Sequence, residues 1–198
     1  MSLELVRDLR EKTGAGLLDC QKALGEAQGD GEKALRLLRE RGLAKAAKKS
    51  TRTATDGLVG SYIHPGGKIG VLVEVNCETD FVANTEEFRE LVKNLGMHVA
   101  AANPRWVRRE DVPADALEKE RDILKSQAEG TGKPQNVLDK IVEGKLGKFY
   151  SQHVLLEQPY VKNEGQTIEE YLKSAIAVLK ENIQVRRFVR FERGEALE

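Results

Sequence analysis

The chain has 198 residues, 40% of them hydrophobic and 32% charged, with 32 Lys/Arg balanced by 32 Asp/Glu. That length and balance fit a soluble globular chain of one or two small domains. No run of about 18 apolar residues exists, which excludes a membrane-spanning helix, and three His with two Cys at no ligand spacing argue against a structural zinc site.

The charge is unevenly placed. Residues 1–55 hold 12 Lys/Arg against 8 Asp/Glu, a net +4, and residues 56–198 hold 20 against 24, a net −4. The split predicts two units with different surfaces, 1–55 and 56–198. Glu4, Asp8 and Glu11 lie among the first basic residues and no apolar signal core follows, so no secretion or organelle address is expected. Cys20 and Cys77 fall in different predicted units, and reduced cytoplasmic thiols are the simpler expectation.

Leu3, Val6 and Leu9 recur at helical spacing and mark a first amphipathic helix, closed by the turn Thr13-Gly14-Ala15-Gly16. Leu17, Cys20, Leu24 and Ala27 line one side of a second helix. Gly29-Asp30-Gly31 breaks the chain. Asp30 is placed to cap a third helix, which carries Ala34, Leu37, Leu38 and Arg41 and stops at Gly42. These elements predict an N-terminal three-helix domain with a thin core. Arg41, Lys45, Lys48, Lys49 and Arg52 then follow with no acid between them. A solvated helical linker and an electrostatic patch are the two readings. With no aromatics interleaved, nucleic-acid binding is disfavoured.

Leu58 to His64 reads as a strand, Pro65-Gly66-Gly67 as a turn, and Lys68 to Asn76 as the returning strand of a hairpin. Ile69, Val71, Val73 and Val75 supply the period of two that one core-facing side requires. Phe88, Leu91, Val92, Leu95, Val99 and Ala102 give a helix, with Asn84 and Glu87 in capping-box position and Asn103-Pro104 at its end. Between strand and helix, Thr79, Asp80, Phe81 and Val82 lie on a short connection at the edge of the sheet. Spacing alone favours Phe81 tucked beneath this loop over Phe81 offered to a partner, since aromatics are mostly buried. His98, among apolar neighbours, reads by default as a satisfied packing histidine.

Pro113 starts a helix lined by Leu117, Ile123 and Leu124 that ends at Gly130, and Pro134 starts another with Val137, Ile141 and Leu146. Leu155 to Pro159 is a connector. Thr167-Ile168-Glu169-Glu170 caps a helix that uses Ile168, Tyr171, Leu172, Ala175, Val178 and Leu179. Val185 to Glu192 is a last strand, with Val185, Val189 and Phe191 facing inward. Strand, strand, helices, strand gives an α+β core in which helices pack a small antiparallel sheet. Two Gly-rich pieces, His64 to Gly70 and Gly130 to Pro134, have no Ser or Thr after their lysine and fail as phosphate loops. No nucleophile–base pattern is present, Ser151 near His153 having no supporting context. Neither a bound nucleotide nor any other cofactor is expected, and no metal.

The stretch Asn76-Cys77-Glu78-Thr79-Asp80-Phe81-Val82-Ala83-Asn84 resembles the signature of bacterial elongation factor Ts, in its short, single-core form. Thr13 to Gly16, Asp19-Cys20, Lys45 to Lys49, Met97 to Ala101, Leu156 to Pro159 and Arg190 to Glu192 are similar to further blocks of that family, in its order. The resemblance spans essentially the whole chain. It implies a ubiquitin-associated-like three-helix domain joined by the basic linker to an α+β core and dimerisation domain. It also implies a role that is not enzymatic: guanine-nucleotide exchange on the translational GTPase elongation factor Tu, in the cytoplasm, during elongation.

On that resemblance Thr79, Asp80, Phe81 and Val82 would dislocate Mg²⁺ from the partner, while Arg10, Leu17, Leu18 and His98 would make further contacts with it. Longer members carry two related copies of the core. This chain has one, which implies a homodimer and a 2:2 complex, with no nucleic-acid or membrane partner. The competing reading is a binding module without exchange activity, such as a ubiquitin-associated-like adaptor or RNA-binding chaperone. Leu17-Leu18 stand where many members have Met-Met, a mild apolar swap. Gln21 replaces a common lysine, which removes a charge there.

Overall fold

α1 (Leu3–Thr13), α2 (Leu17–Glu26) and α3 (Gly31–Lys49) open the computed structural model, which describes residues 3–129 and 134–196. Their apolar spacing encloses one cluster, with Val6, Leu9, Cys20, Leu24 and Ala34 at its centre. Asp30 caps α3 as expected, its Oδ1 accepting from the Lys33 N–H at 3.0 Å. Leu3 and Leu17 sit outside the cluster, 76% and 48% exposed. Each begins its helix, and helical side chains lean toward the N-terminus, so both overhang the packed turns.

α3 does not stop at Gly42 but runs on to Lys49. The basic stretch is therefore largely helical, although the Lys45 side chain lies outside the described residues. Glycine inside a helix costs about 1 kcal/mol. A Cβ at Gly42, however, would lie 3.2 Å from the side chain of Ala177, in α8 (Ile168–Leu179). The missing side chain permits that close approach. Arg39 pairs with Glu170 of the same helix at 3.1 Å.

β1 (Asp56–Ile63) and β2 (Ile69–Cys77) form the predicted hairpin, and the His64 N–H donates to the Ile69 carbonyl at 2.9 Å to close it. β5 (Gln184–Glu192) flanks β2 on its other side, giving the order β1-β2-β5. The Arg193 N–H donates to the Lys68 carbonyl at 2.8 Å, setting the end of β5 beside the start of β2, so the sheet is antiparallel. Val71, Val73, Val75 and Cys77 are buried along β2 while Leu72 is exposed, the period of two that was expected. Gly57 has φ +135°, and a Cβ there would stand 2.2 Å from the Val75 carbonyl oxygen, so β1 enters the sheet at a position that admits only glycine.

β5 departs from expectation. Val185 is buried, but Val189 and Phe191 are 41% and 67% exposed. Arg186 and Arg187 are both exposed, and beyond them Phe188 and Arg190 take the more enclosed positions. A one-residue shift in a pleated strand turns every later side chain to the other face.

α5 (Glu86–Ala102) buries Phe88, Leu91, Leu95 and Val99 as its spacing predicts. Thr85 rather than Asn84 caps it, Oγ1 accepting from the Phe88 N–H at 3.2 Å. Asn103, at φ +45°, ends it before Pro104. α6 (Ala114–Glu129) and α7 (Gln135–His153) pair around Leu124, Ala128, Leu138, Val142 and Leu146. Ile123 and Val137 are exposed instead of inward, because the packed row of α7 runs one residue later, through Leu138 and Val142. The helix end expected at Gly130, and the segment Gly130 to Lys133, lie outside the described residues. A short antiparallel hairpin of β3 (Pro159–Tyr160) and β4 (Asn163–Thr167) follows, where only a connector was expected. Its Asn-Glu-Gly-Gln-Thr strand carries no apolar alternation to announce it.

By contacts the chain divides into two units. One is Met1–Gly60 with Val73–Asn94 and Glu170–Arg186; the other is Ser61–Leu72 with Leu95–Glu169 and Arg187–Glu198. Among the described residues no helix is long and apolar enough to cross a membrane.

Candidate functional site

β2 ends at Cys77, and the chain turns at once into a single helical turn, α4 (Asp80–Ala83). Thr79 caps that turn from an extended conformation, its Oγ1 accepting from the Val82 N–H at 3.4 Å. Asn84 closes it, with its N–H and its Nδ2 both donating to the Asp80 carbonyl at 3.0 and 2.9 Å. Asn84 therefore finishes this turn and does not start the next helix. Ala83 is the buried foot, at 3% exposure. Residues two apart on a helix point about 200° apart. With Ala83 pressed into the core, Phe81 must face out, and it is 82% exposed. The burial favoured by spacing alone is thus reversed. Asp80 is also exposed, and Thr79 and Val82 are half-buried.

A carboxylate from far along the chain fixes this turn. α8 ends where the Lys180 N–H donates to the Ile176 carbonyl at 2.9 Å, and Lys180 adopts a left-handed φ of +62°. Glu181 Oε2 accepts from the backbone N–H groups of Glu78 and Thr79, both at 3.0 Å, and Oε1 accepts from the Thr79 hydroxyl at 2.6 Å. Glu78 reciprocates, its Oε1 accepting from the Asn182 N–H at 2.6 Å and lying 3.5 Å from Arg52 Nη1. The Asn182 side chain is buried and donates to the carbonyls of Ser50 at 3.4 Å and Arg52 at 2.6 Å. Sequence reasoning missed Glu181 and Asn182. Their partners on the turn lie 102 to 104 positions away, beyond the reach of any local spacing.

Beneath the turn, Cys77 is fully buried and its thiol donates to the Thr79 carbonyl at 3.1 Å. Burial, and then the charge of Glu181, push the thiol pKa up to about 11 from 9.0. Cys77 serves as a neutral donor under the loop.

Arg10, Leu17 and Leu18 flank the α1–α2 turn and are exposed, Leu18 to 71%. That turn also rests on α8. Gly14 has φ +63°, and a Cβ there would lie 3.0 Å from the Val178 side chain. Val178 and Glu181 are three residues apart, so one end of α8 supports both sets of predicted contact residues. His98 does not join them. It is 0% exposed, with Nε2 3.0 Å from Gln158 Oε1 and Nδ1 accepting from the Val161 N–H at 3.4 Å. Burial holds its pKa below the usual histidine value, and a neutral ring donating to Gln158 satisfies both nitrogens. The expected contact role gives way to a packing role. Among the described residues no group of three or more His, Cys, Asp or Glu is gathered to hold a metal ion.

The sequence profile of the family described as Elongation factor TS matches residues 38–195. Elongation factor Ts of Thermoanaerobacter sp. (strain X514) is 61% identical over 198 residues, spanning 100% of this chain and 97% of that protein. Elongation factor Ts of Caldanaerobacter subterraneus subsp. tengcongensis is 60% identical over 198 residues, spanning 100% and 99%. The Carboxydothermus hydrogenoformans protein of the same name is 57% identical over 194 residues, spanning 98% and 89%.

The raised thiol pKa carries a pH signature. Folding favours the protonated form, so its stabilising effect is whole below about pH 9 and is lost as pH rises towards about 11. Urea unfolding of the wild type and of Cys77→Ala should show a stability gap that narrows across that window. A gap independent of pH there would contradict the assignment.

Proposed function

The chain belongs to the elongation factor Ts family, and on that premise we propose that it promotes release of GDP from the translational GTPase elongation factor Tu, so that GTP can bind during elongation. The observation that carries this reading is Phe81, a large apolar ring 82% exposed on a turn held firmly from behind. A ring with no packing role in its own chain is available to pack in another.

Exchange is a linkage problem. A factor that binds the nucleotide-free GTPase more tightly than the GDP form must weaken GDP by the same ratio. Loosening nucleotide by about 10⁴-fold takes roughly 5.5 kcal/mol of differential binding, and complete burial of one Phe contributes only about 1.5–3 kcal/mol. Several contacts must therefore favour the opened partner. Phe81 wedges between helices of the GTPase near its Mg²⁺ site, with Thr79, Asp80 and Val82 against the displaced groups. Loss of the metal leaves the phosphates unscreened, and GDP departs. Arg10, Leu17 and Leu18 grip the GTPase from the helical module of residues 1–55. The factor holds no metal or nucleotide of its own and makes or breaks no covalent bond.

The protein acts in the cytoplasm, without a membrane or nucleic-acid partner. Arg41 pairs with Glu26 and Arg52 with Glu78, which leaves less of the basic stretch for a phosphate backbone. With one core per chain, two chains pair to give a 2:2 complex with the GTPase. Ile63, Leu72, Val189 and Phe191, all exposed on the strands, supply an apolar surface for that pairing.

Phe81→Ala should keep the wild-type melting transition and release fluorescent GDP from elongation factor Tu at least about tenfold more slowly, since its loss removes about 1.5–3 kcal/mol of packing. Wild-type release rates would sink the wedge, and a collapsed transition would make Phe81 a core residue. Light scattering at micromolar concentration should give twice the 22.0 kDa chain mass, falling to the monomer in Phe191→Glu. A monomeric wild type would contradict the pairing.

A further inference from the structure

The two residues that follow Lys180 have no part in the exchange reading, on which this inference rests. We propose that Glu181 and Asn182 are positioning residues for nucleotide exchange, holding the Phe81 turn in its displayed form and tying it to the end of the N-terminal helical module.

The Thr79 hydroxyl has one hydrogen and donates it to Glu181, at 2.6 Å. That donation points the oxygen's lone pairs back toward Val82, whose N–H it caps. Glu181 therefore sets the direction of the cap as well as the place of the backbone. An isolated helical turn of four residues has no stability of its own, so outside restraint decides how much of the time it exists. Removing the carboxylate leaves the N–H groups of Glu78 and Thr79 and the hydroxyl to find water.

The route by which Glu181 arrives is also specific. Lys180 stands in a left-handed conformation that side chains other than glycine seldom adopt. It redirects the chain from the axis of α8 so that successive residues face two targets. Glu181 takes the loop, and Asn182 takes the carbonyls of Ser50 and Arg52, directly after α3. Gln184 adds a second donor to Ser50, at 3.3 Å. A module that grips through Arg10, Leu17 and Leu18 thereby reaches the wedge through a short set of polar contacts rather than through a loose linker.

This division of labour separates two kinetic quantities. Docking of the helical module governs the factor concentration needed for half-maximal GDP release. The fraction of bound factor with Phe81 displayed scales the plateau. Stopped-flow release of fluorescent GDP from elongation factor Tu, across a range of factor concentrations, reads both. Glu181→Ala should lower the plateau about tenfold, with the half-maximal concentration changed by less than about threefold. Glu181→Gln keeps a carbonyl oxygen for the two N–H groups and should recover most of the plateau.

A wild-type plateau in folded Glu181→Ala overturns the proposal, as does a Gln variant no better than Ala. Melting curves verify folding. If Glu181→Ala does not fold, Glu181→Asp, which draws the carboxylate back from the turn by one methylene, carries the test: a reduced plateau supports the proposal and a wild-type plateau overturns it. A wild-type chain that releases no GDP would overturn the exchange reading itself.

Discussion

The turn that carries the outward-facing ring is tied to a distant part of the chain through one carboxylate with three hydrogens pointed at it. At the strand end of the turn Glu181 takes two backbone N–H groups and one hydroxyl. Hydrogen bonds to a charged acceptor each contribute about 1.5–3 kcal/mol, more than neutral ones. An exposed phenylalanine gains nothing from its own chain, and collapse of the ring onto nearby apolar surface is the competing state. The clamp opposes that collapse from behind. The buried foot at Ala83 opposes it from below, because residue 81 cannot turn inward while residue 83 stays packed.

The same economy of contacts runs through α8. Its side chains meet the α1–α2 turn at Val178, α3 at Ala177 and Glu170, and the Phe81 turn just beyond its C-terminus. Two small residues make this possible, Gly14 and Gly42, each leaving space where a methyl would crowd α8. A thin three-helix module of some fifty residues is marginal by itself. Bracing by α8 supplies packing that the module lacks alone, with the Phe81 turn held just beyond the same helix.

The fold was legible where a single local pattern decides it. The alternation of Val71, Val73 and Val75, the Asp30 cap and the apolar face of α5 all follow from chemistry within a few residues. The reading failed where tertiary contact overrides local preference. Gly42 looked like a helix end because glycine usually is one, but contact with Ala177 retains it inside the helix. Val189 and Phe191 looked inward because strict alternation from Val185 places them there, and a shift after Arg186 reverses them. Val137 was named in place of its buried neighbour Leu138, and Ile123 was counted inward beside Leu124, which alone of that pair is buried. As for the candidate site, the turn was singled out by resemblance, while the outward orientation of Phe81 follows only from the fold. Glu181 and Asn182 could not have been found by any spacing rule. His98 was the opposite case: its bland packing role was visible from its apolar neighbours, and only the resemblance suggested more.

The central claim is that Phe81 works inside the partner when GDP is absent. The most direct measurement is photo-cross-linking with p-benzoylphenylalanine in place of Phe81, mixed with nucleotide-free elongation factor Tu and mapped by mass spectrometry. A wedge at the nucleotide site requires adducts within the GTPase's nucleotide-binding domain, with a yield that declines as GDP is added, because the two ligands weaken each other. Absence of adducts there, or a yield indifferent to GDP in a preparation that still exchanges nucleotide, would contradict it.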